Sequence, residues 1–68
     1  MVNTEAALVY VKESGMTMQG IARKMGISYR SLHRKVRNDA PFRICEIESF
    51  CKIVGVTTKA ERERIFSA

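Results

Sequence analysis

The chain has 68 residues, two cysteines, one histidine and a formal net charge of +5. A domain this small buries only about 60% of the surface its unfolded chain exposes, which points to one modest core and a single domain. Two cysteines make no disulfide framework, one histidine beside them makes no zinc set, and neither a run of about 20 apolar residues nor a secretory leader is visible, so a reduced cytoplasm is the expected setting.

In chain order, "NTEAALVYVKESG" opens with Asn3 or Thr4 as N-cap, and Leu8 and Val11, with Ala7 and Tyr10 beside them, repeat at helical spacing up to Gly15 as a C-terminal cap. A second helix starts after Thr17, whose hydroxyl can cap it, and turns Ile21, Ala22 and Met25 to one face before Gly26 ends it. Gly20 inside it is a liability of up to about 1 kcal/mol relative to alanine. Ser28 caps a third helix, Tyr29 to about Arg37, and the polar stretch Asn38-Asp39-Ala40-Pro41 follows. The fourth helix is expected to bury Ile44, Ile47, Phe50, Cys51 and Val54 and to close at Gly55. Cys51 should then lie inside as a small hydrophobe, with Cys45 toward the exposed Glu48 and Ser49 side, too far away to bridge to it. Thr58 and Glu61 make the T-x-x-E capping box of a last helix reaching about Phe66. Nothing reads as a strand pair or a repeat. The fold class is all-α, a compact bundle of five helices over residues 1–68.

Charge is unevenly placed along this bundle. Between Thr17 and Arg43 stand seven cations, Arg23, Lys24, Arg30, Arg34, Lys35, Arg37 and Arg43, against Asp39 alone, a net of +6. The five cations and six carboxylates elsewhere leave −1. A concentrated basic region is the footprint of a polyanion, of which nucleic acid is the commonest. An anionic membrane surface would ask for a broad apolar face and bulky anchors, which the basic segment lacks. On a wheel with Tyr29 at zero, His33, Arg37, Arg30 and Arg34 fall at about 40°, 80°, 100° and 140°, while Leu32 and Val36 fall at about 300° and 340°. Lys35, at about 240°, is expected to run along the packed flank with its amine in water. The helix offers a narrow stripe for packing and a wide basic face, and no acid on it forms the i,i+4 pairs of an ordinary solvated helix.

The layout about 17–37 is that of a helix-turn-helix, with a glycine in the turn, Ala22 at the close crossing, and Ile27 and Leu32 under it. "MTMQGIARKMGIS" followed by "YRSLHRKV" resembles the helix-turn-helix of the lambda-repressor-like, Cro/Xre class of regulators. "EIESFCKIVGV" is similar to that family's fourth helix, and "VTTKAERERIF" to the ends of small prophage regulators of Gram-positive bacteria. The resemblance implies a lambda-repressor-like five-helix domain in the bacterial cytoplasm that binds operator DNA, often as a two-fold dimer. It places base reading on Tyr29, Arg30 and Arg34, with His33 close by. The family usually begins its second helix with glutamine. Met18 stands there in this chain, so either Gln19 or the Thr17 hydroxyl makes the backbone contact or the contact is missing.

Arginine presents two parallel donors that match O6 and N7 of guanine in the major groove, which suits Arg30 and Arg34, and Tyr29 can meet a thymine methyl or a phosphate. Ser28 and the free amides near it can hold a phosphate at the helix N-terminus. Arg37, Asn38 and Arg43 are placed for backbone phosphates, which position without specifying. Ile65 and Phe66 either cover the core or pair two subunits in a weak homodimer. No nucleophile–base pair, metal set, cofactor loop or small-molecule site is evident, so the expected class is a transcriptional regulator and not an enzyme. The rivals are an antirepressor-like protein-binding module on the same fold and an RNA-binding or general nucleoid protein, though the stacking platform for single-stranded RNA is lacking.

Overall fold

Four of the five helices begin at a residue whose side chain satisfies an amide of the first turn. The computed structural model describes residues 2–66 and contains helices α1 (Thr4–Glu13), α2 (Met18–Met25), α3 (Tyr29–Val36), α4 (Ile44–Val54) and α5 (Lys59–Ile65), with no strand among the described residues. Asn3, Thr17, Ser28 and Thr58 each accept a hydrogen bond through a side-chain oxygen from the amide three residues on, removing one orphan donor per helix. At α4 the arrangement is reversed: the Glu46 carboxylate accepts the Arg43 amide at 2.9 Å. Gly26 ends α2 at φ 77°, a left-handed conformation that disfavours a Cβ although nothing crowds the position. Gly20 has a local reason as well, since a Cβ there would come within 3.3 Å of the capping Thr17 hydroxyl.

The helices pack in two pairings that share α4: α2 lies against α3 and α4, and α1 against α5 and α4. The core runs between them through Ala7, Val11, Ile21, Ala22, Leu32, Val36, Phe50, Cys51, Val54, Val56 and Ile65. Phe50, fully buried, meets Phe42 and Phe66 edge-on, and these two rings also meet each other at 5.2 Å and 83°. Aromatic pairs of this geometry contribute about 0.5–1.5 kcal/mol each beyond the area they bury.

Several expected positions move. Leu8 is 46% exposed, because Ala7 and Val11 carry the inward face of α1. Ile44 is 74% exposed: it opens α4 beyond the edge of the core, which begins a turn later with half-buried Ile47 and is completed by Phe50, Cys51 and Val54. Met25 and Ile27 are only partly covered. Ile65 is wholly inside the chain's own core, and Phe66 is taken up by Phe42 and Phe50, so Ile65 has no surface to offer a second subunit. Cys51 is buried and Cys45 exposed, both as free thiols, as expected; burial pushes the Cys51 thiol above its usual range. No helix of the described residues is long and apolar enough to cross a membrane.

Residues 2–4 tie the bundle together. The Asn3 amide donates to the Ile65 carbonyl at 2.7 Å, and the Thr4 hydroxyl to the Val36 carbonyl at 2.7 Å. Asn38, in the left-handed region at φ 66°, accepts from the Val2 amide at 2.8 Å and donates to the Val2 carbonyl at 2.9 Å. The open C-terminal ends of α3 and α5 are thus both held by one short segment.

Candidate nucleic-acid interface

Helix α3 is held on three sides and presents the fourth to solvent. Leu32 and Val36, 0% and 1% exposed, anchor it to the core. On one flank Lys35 donates to Glu46 at 2.8 Å and to the Pro41 carbonyl at 3.2 Å, tying α3 to the start of α4. The Lys35 amine is therefore not in water as expected; its wheel position carries it onto a carboxylate. The Lys35 hydrogen bond, then the Arg43 amide, hold the Glu46 carboxyl below the usual carboxylate range. On the other flank the first residue of α2, Met18, and the α1 residues Thr4 and Leu8 border Tyr29 and His33 across a shallow groove.

The free side carries Arg30, Arg34 and Arg37, all exposed. Lys35–Glu46 is the only ion pair among the described residues, so these three, with Arg23, Lys24 and Arg43, have no carboxylate partner there. Tyr29 is half exposed and its ring lies 5.7 Å from that of half-buried His33, tilted by 32°. The face thus has a cationic ridge and an aromatic edge, five side chains expected together and brought together on one helix side.

Around this face, Thr17, Gln19 and Ser28 are exposed at the starts of α2 and α3. The hydroxyls of Thr17 and Ser28 accept the Gly20 and Ser31 amides at 3.0 and 3.1 Å, which leaves each a proton to donate. Arg23 follows Gln19 by one turn on the exposed side of α2, an addition that sequence reasoning counted as charge without assigning a place. Arg43 stands exposed at the N-cap of α4, beyond the Lys35 flank. Asn38 has a second task as well: its oxygen accepts from and its nitrogen donates to Val2, which fixes the chain at the end of α3, while the second amide proton stays free on an exposed side chain. Its left-handed backbone, which asparagine tolerates better than most residues, was the available signal; the partner 36 residues away had none. Met18 and Leu8 were likewise missed, because a groove between three helices has no periodicity of its own.

No protein-family model, no curated protein and no solved structure matches the chain.

Proposed function

We propose that the protein is a sequence-specific binder of double-stranded DNA, a small transcriptional regulator with a lambda-repressor-like helix-turn-helix at 17–37 whose third helix enters the major groove. The observation that carries this is the exposed ridge of Arg30, Arg34 and Arg37, unpaired on one side of a helix whose other cation, Lys35, is pinned to Glu46. A helix that merely needed solubility would gain from carboxylates among those arginines. Guanidinium pairs suit guanine edges and phosphates alike, so Arg30 and Arg34 read bases while Arg37 and Arg43 neutralise backbone. Thr17, Gln19 and the amides at Ser28 lie at helix starts, where phosphates are best received. Asn38 joins this set through its remaining amide proton and also keeps the end of α3 in place. A two-fold pair of copies on two half-sites would multiply affinity, with its contact elsewhere than Ile65.

The test is selection of binding sites from random duplex DNA at physiological salt, followed by sedimentation on the selected site to count copies per duplex. A shared motif is the expected result. Recovery of no motif, with binding that is weak and indifferent to sequence, overturns the reading and returns the basic face to a protein partner or to general nucleic-acid binding.

A further inference from the structure

Helix α3 is joined to the rest of the bundle by few contacts. Its closest packing is against α2, and its two buried side chains, Leu32 and Val36, lie on one narrow stripe. Such a stripe fixes how deep the helix sits and leaves its rotation about that stripe to whatever holds its flanks. Polar bonds to other parts of the chain hold both flanks. On the α1 side the Thr4 hydroxyl donates to the Val36 carbonyl at 2.7 Å. On the α4 side the Lys35 amine donates to Glu46 Oε1 at 2.8 Å and to the Pro41 carbonyl at 3.2 Å. The same Oε1 accepts the Arg43 amide at 2.9 Å. One amine and one carboxylate oxygen thus join α3, the connecting segment and the first turn of α4. The two side chains are only 14% and 16% exposed, so the pair is not the loose, screened contact of an open surface. Lys35 also stands well away from the ridge, about 100° around the helix from Arg34 and about 140° from Arg30.

We propose that Lys35 and Glu46 are positioning residues for base reading: the pair sets the rotation of α3 at which Arg30 and Arg34 meet base edges, and it contributes to sequence preference without touching DNA. The inference rests on the DNA-binding reading and adds to it two residues outside the interface. A bidentate contact of guanidinium with guanine needs two donors to meet two acceptors in one plane, so a small rotation of α3 spoils it. Phosphate contacts tolerate the same rotation, because neutralising a charge asks little of direction. Loosening the pair therefore costs preference rather than general affinity. Glu46 gives the inference a sharp sign. Deleting an acid from a DNA-binding protein should, on charge alone, strengthen binding; deleting a positioning acid should weaken it on the specific site.

The experiment titrates wild type, Lys35→Met and Glu46→Met on the selected site and on a scrambled duplex, at two salt concentrations and at a temperature where melting shows every variant folded. Each variant should lose about fivefold on the selected site, the lower end of what one bidentate base contact discriminates. On the scrambled duplex Lys35→Met should bind as wild type does, and Glu46→Met at least as tightly. Lys35→Met should keep the wild-type salt slope, whereas loss of a phosphate-binding lysine would lower its magnitude by about one unit. Tyr10→Phe, which cuts the bond of α1 to Glu61 on α5, controls for stability and should keep the preference. The double variant Lys35→Met/Glu46→Met removes the unpaired charge that each single variant leaves. Its melting temperature should recover while its preference stays low, because apolar contact fixes no direction. A Glu46→Met protein that binds the selected site more tightly than wild type overturns the positioning role, as does a double variant that regains preference together with stability. A salt slope lowered by one unit in Lys35→Met puts the amine on phosphate and overturns it too. Each of these leaves the DNA-binding reading standing; failure to select any motif removes that reading and the role of the pair with it.

Discussion

Helices α3 and α5 are close in length, eight and seven residues, and both are densely charged, yet they use charge in opposite ways. In α5, Lys59, Arg62 and Arg64 alternate with Glu61 and Glu63. Glu61 is further tied to the Tyr10 phenol at 2.7 Å and the Thr58 hydroxyl at 3.0 Å, so part of its charge is spent holding α5 to α1. In α3 the arginines share one face, with no acid among them, and only Lys35, on the α4 flank, is spent on the fold. Both helices insert buried apolar side chains beneath this polar surface, Leu32 and Val36 from α3 and Ile65 from α5. Charge density alone therefore separates nothing. What marks α3 is segregation of sign: the cations of α5 are equally without ion pairs among the described residues, but they stand among carboxylates.

The largest expected effect falls on what the two helices share. Leu32→Ala and Ile65→Ala should each lose about 2–5 kcal/mol of stability through lost burial and the cavity left behind; thermal and denaturant melting would check it, and an unchanged midpoint for Ile65→Ala would free that residue for a partner after all. The next effect should divide the helices. Arg30→Ala and Arg34→Ala should each cost about 1–3 kcal/mol on the specific site and relax preference at one base pair, whereas Arg64→Ala on α5 should leave binding nearly unaltered; titration on specific and scrambled duplexes distinguishes them. If the Arg30 and Arg34 variants keep wild-type preference, α3 is not the reader. Arg37→Ala should weaken binding to all sequences alike and lower the magnitude of the salt slope by about one unit, measured by repeating the titration at two salt concentrations.

Acid should act on the tethers and not on the ridge. Glu46 and Glu61 have folded pKa values below their ordinary 4.5, Glu46 chiefly through the Lys35 hydrogen bond and Glu61 chiefly through that of Tyr10. A depressed carboxyl contributes stability that is fully present above its unfolded pKa and is lost as pH falls through the folded value. The melting temperature should therefore drop on acidification below 4.5, and Glu46→Gln or Glu61→Gln should flatten that drop. Both groups stand near solvent, so the effect is modest. At alkaline pH the sign reverses: the Tyr10 pKa is raised, first by its bond to Glu61, and its contribution is lost as pH climbs through that value. The smallest signal is chemical. A thiol reagent should modify Cys45 before Cys51 in the native state; the reverse order would mean that α4 opens more readily than the rest of the core.

The helix ends were legible in the sequence because caps are local: Asn3, Thr17, Ser28 and Thr58 each act on an amide three residues away. The basic face of α3 was legible for a similar reason, since one helix's periodicity fixes which of its side chains share a side. Positions decided by distant parts of the chain were not. Leu8 and Ile44 fit an apolar stripe equally well whether or not a neighbour covers them, and nothing nearby reveals that no neighbour does. Asn38 reads as a polar loop residue until Val2 is placed beside it, and Lys35 as a solvated amine until α4 brings Glu46. The same holds for the groove of Leu8, Met18 and Tyr29, which requires three helices before it exists.

The tether of residues 2–4 has a consequence in time as well as in space. Synthesis runs from the N-terminus to the C-terminus, so these residues leave the ribosome before Ile65, whose carbonyl receives the Asn3 amide. A nascent chain released as far as α4 can pack α2 against α3 and bond Val2 to Asn38, but the Asn3 amide has no acceptor and the floor of the core lacks Ile65. Closure of the bundle therefore waits for α5, and a folding clock started at synthesis would register the joining of Asn3 to Ile65 only after α1 to α4 have emerged.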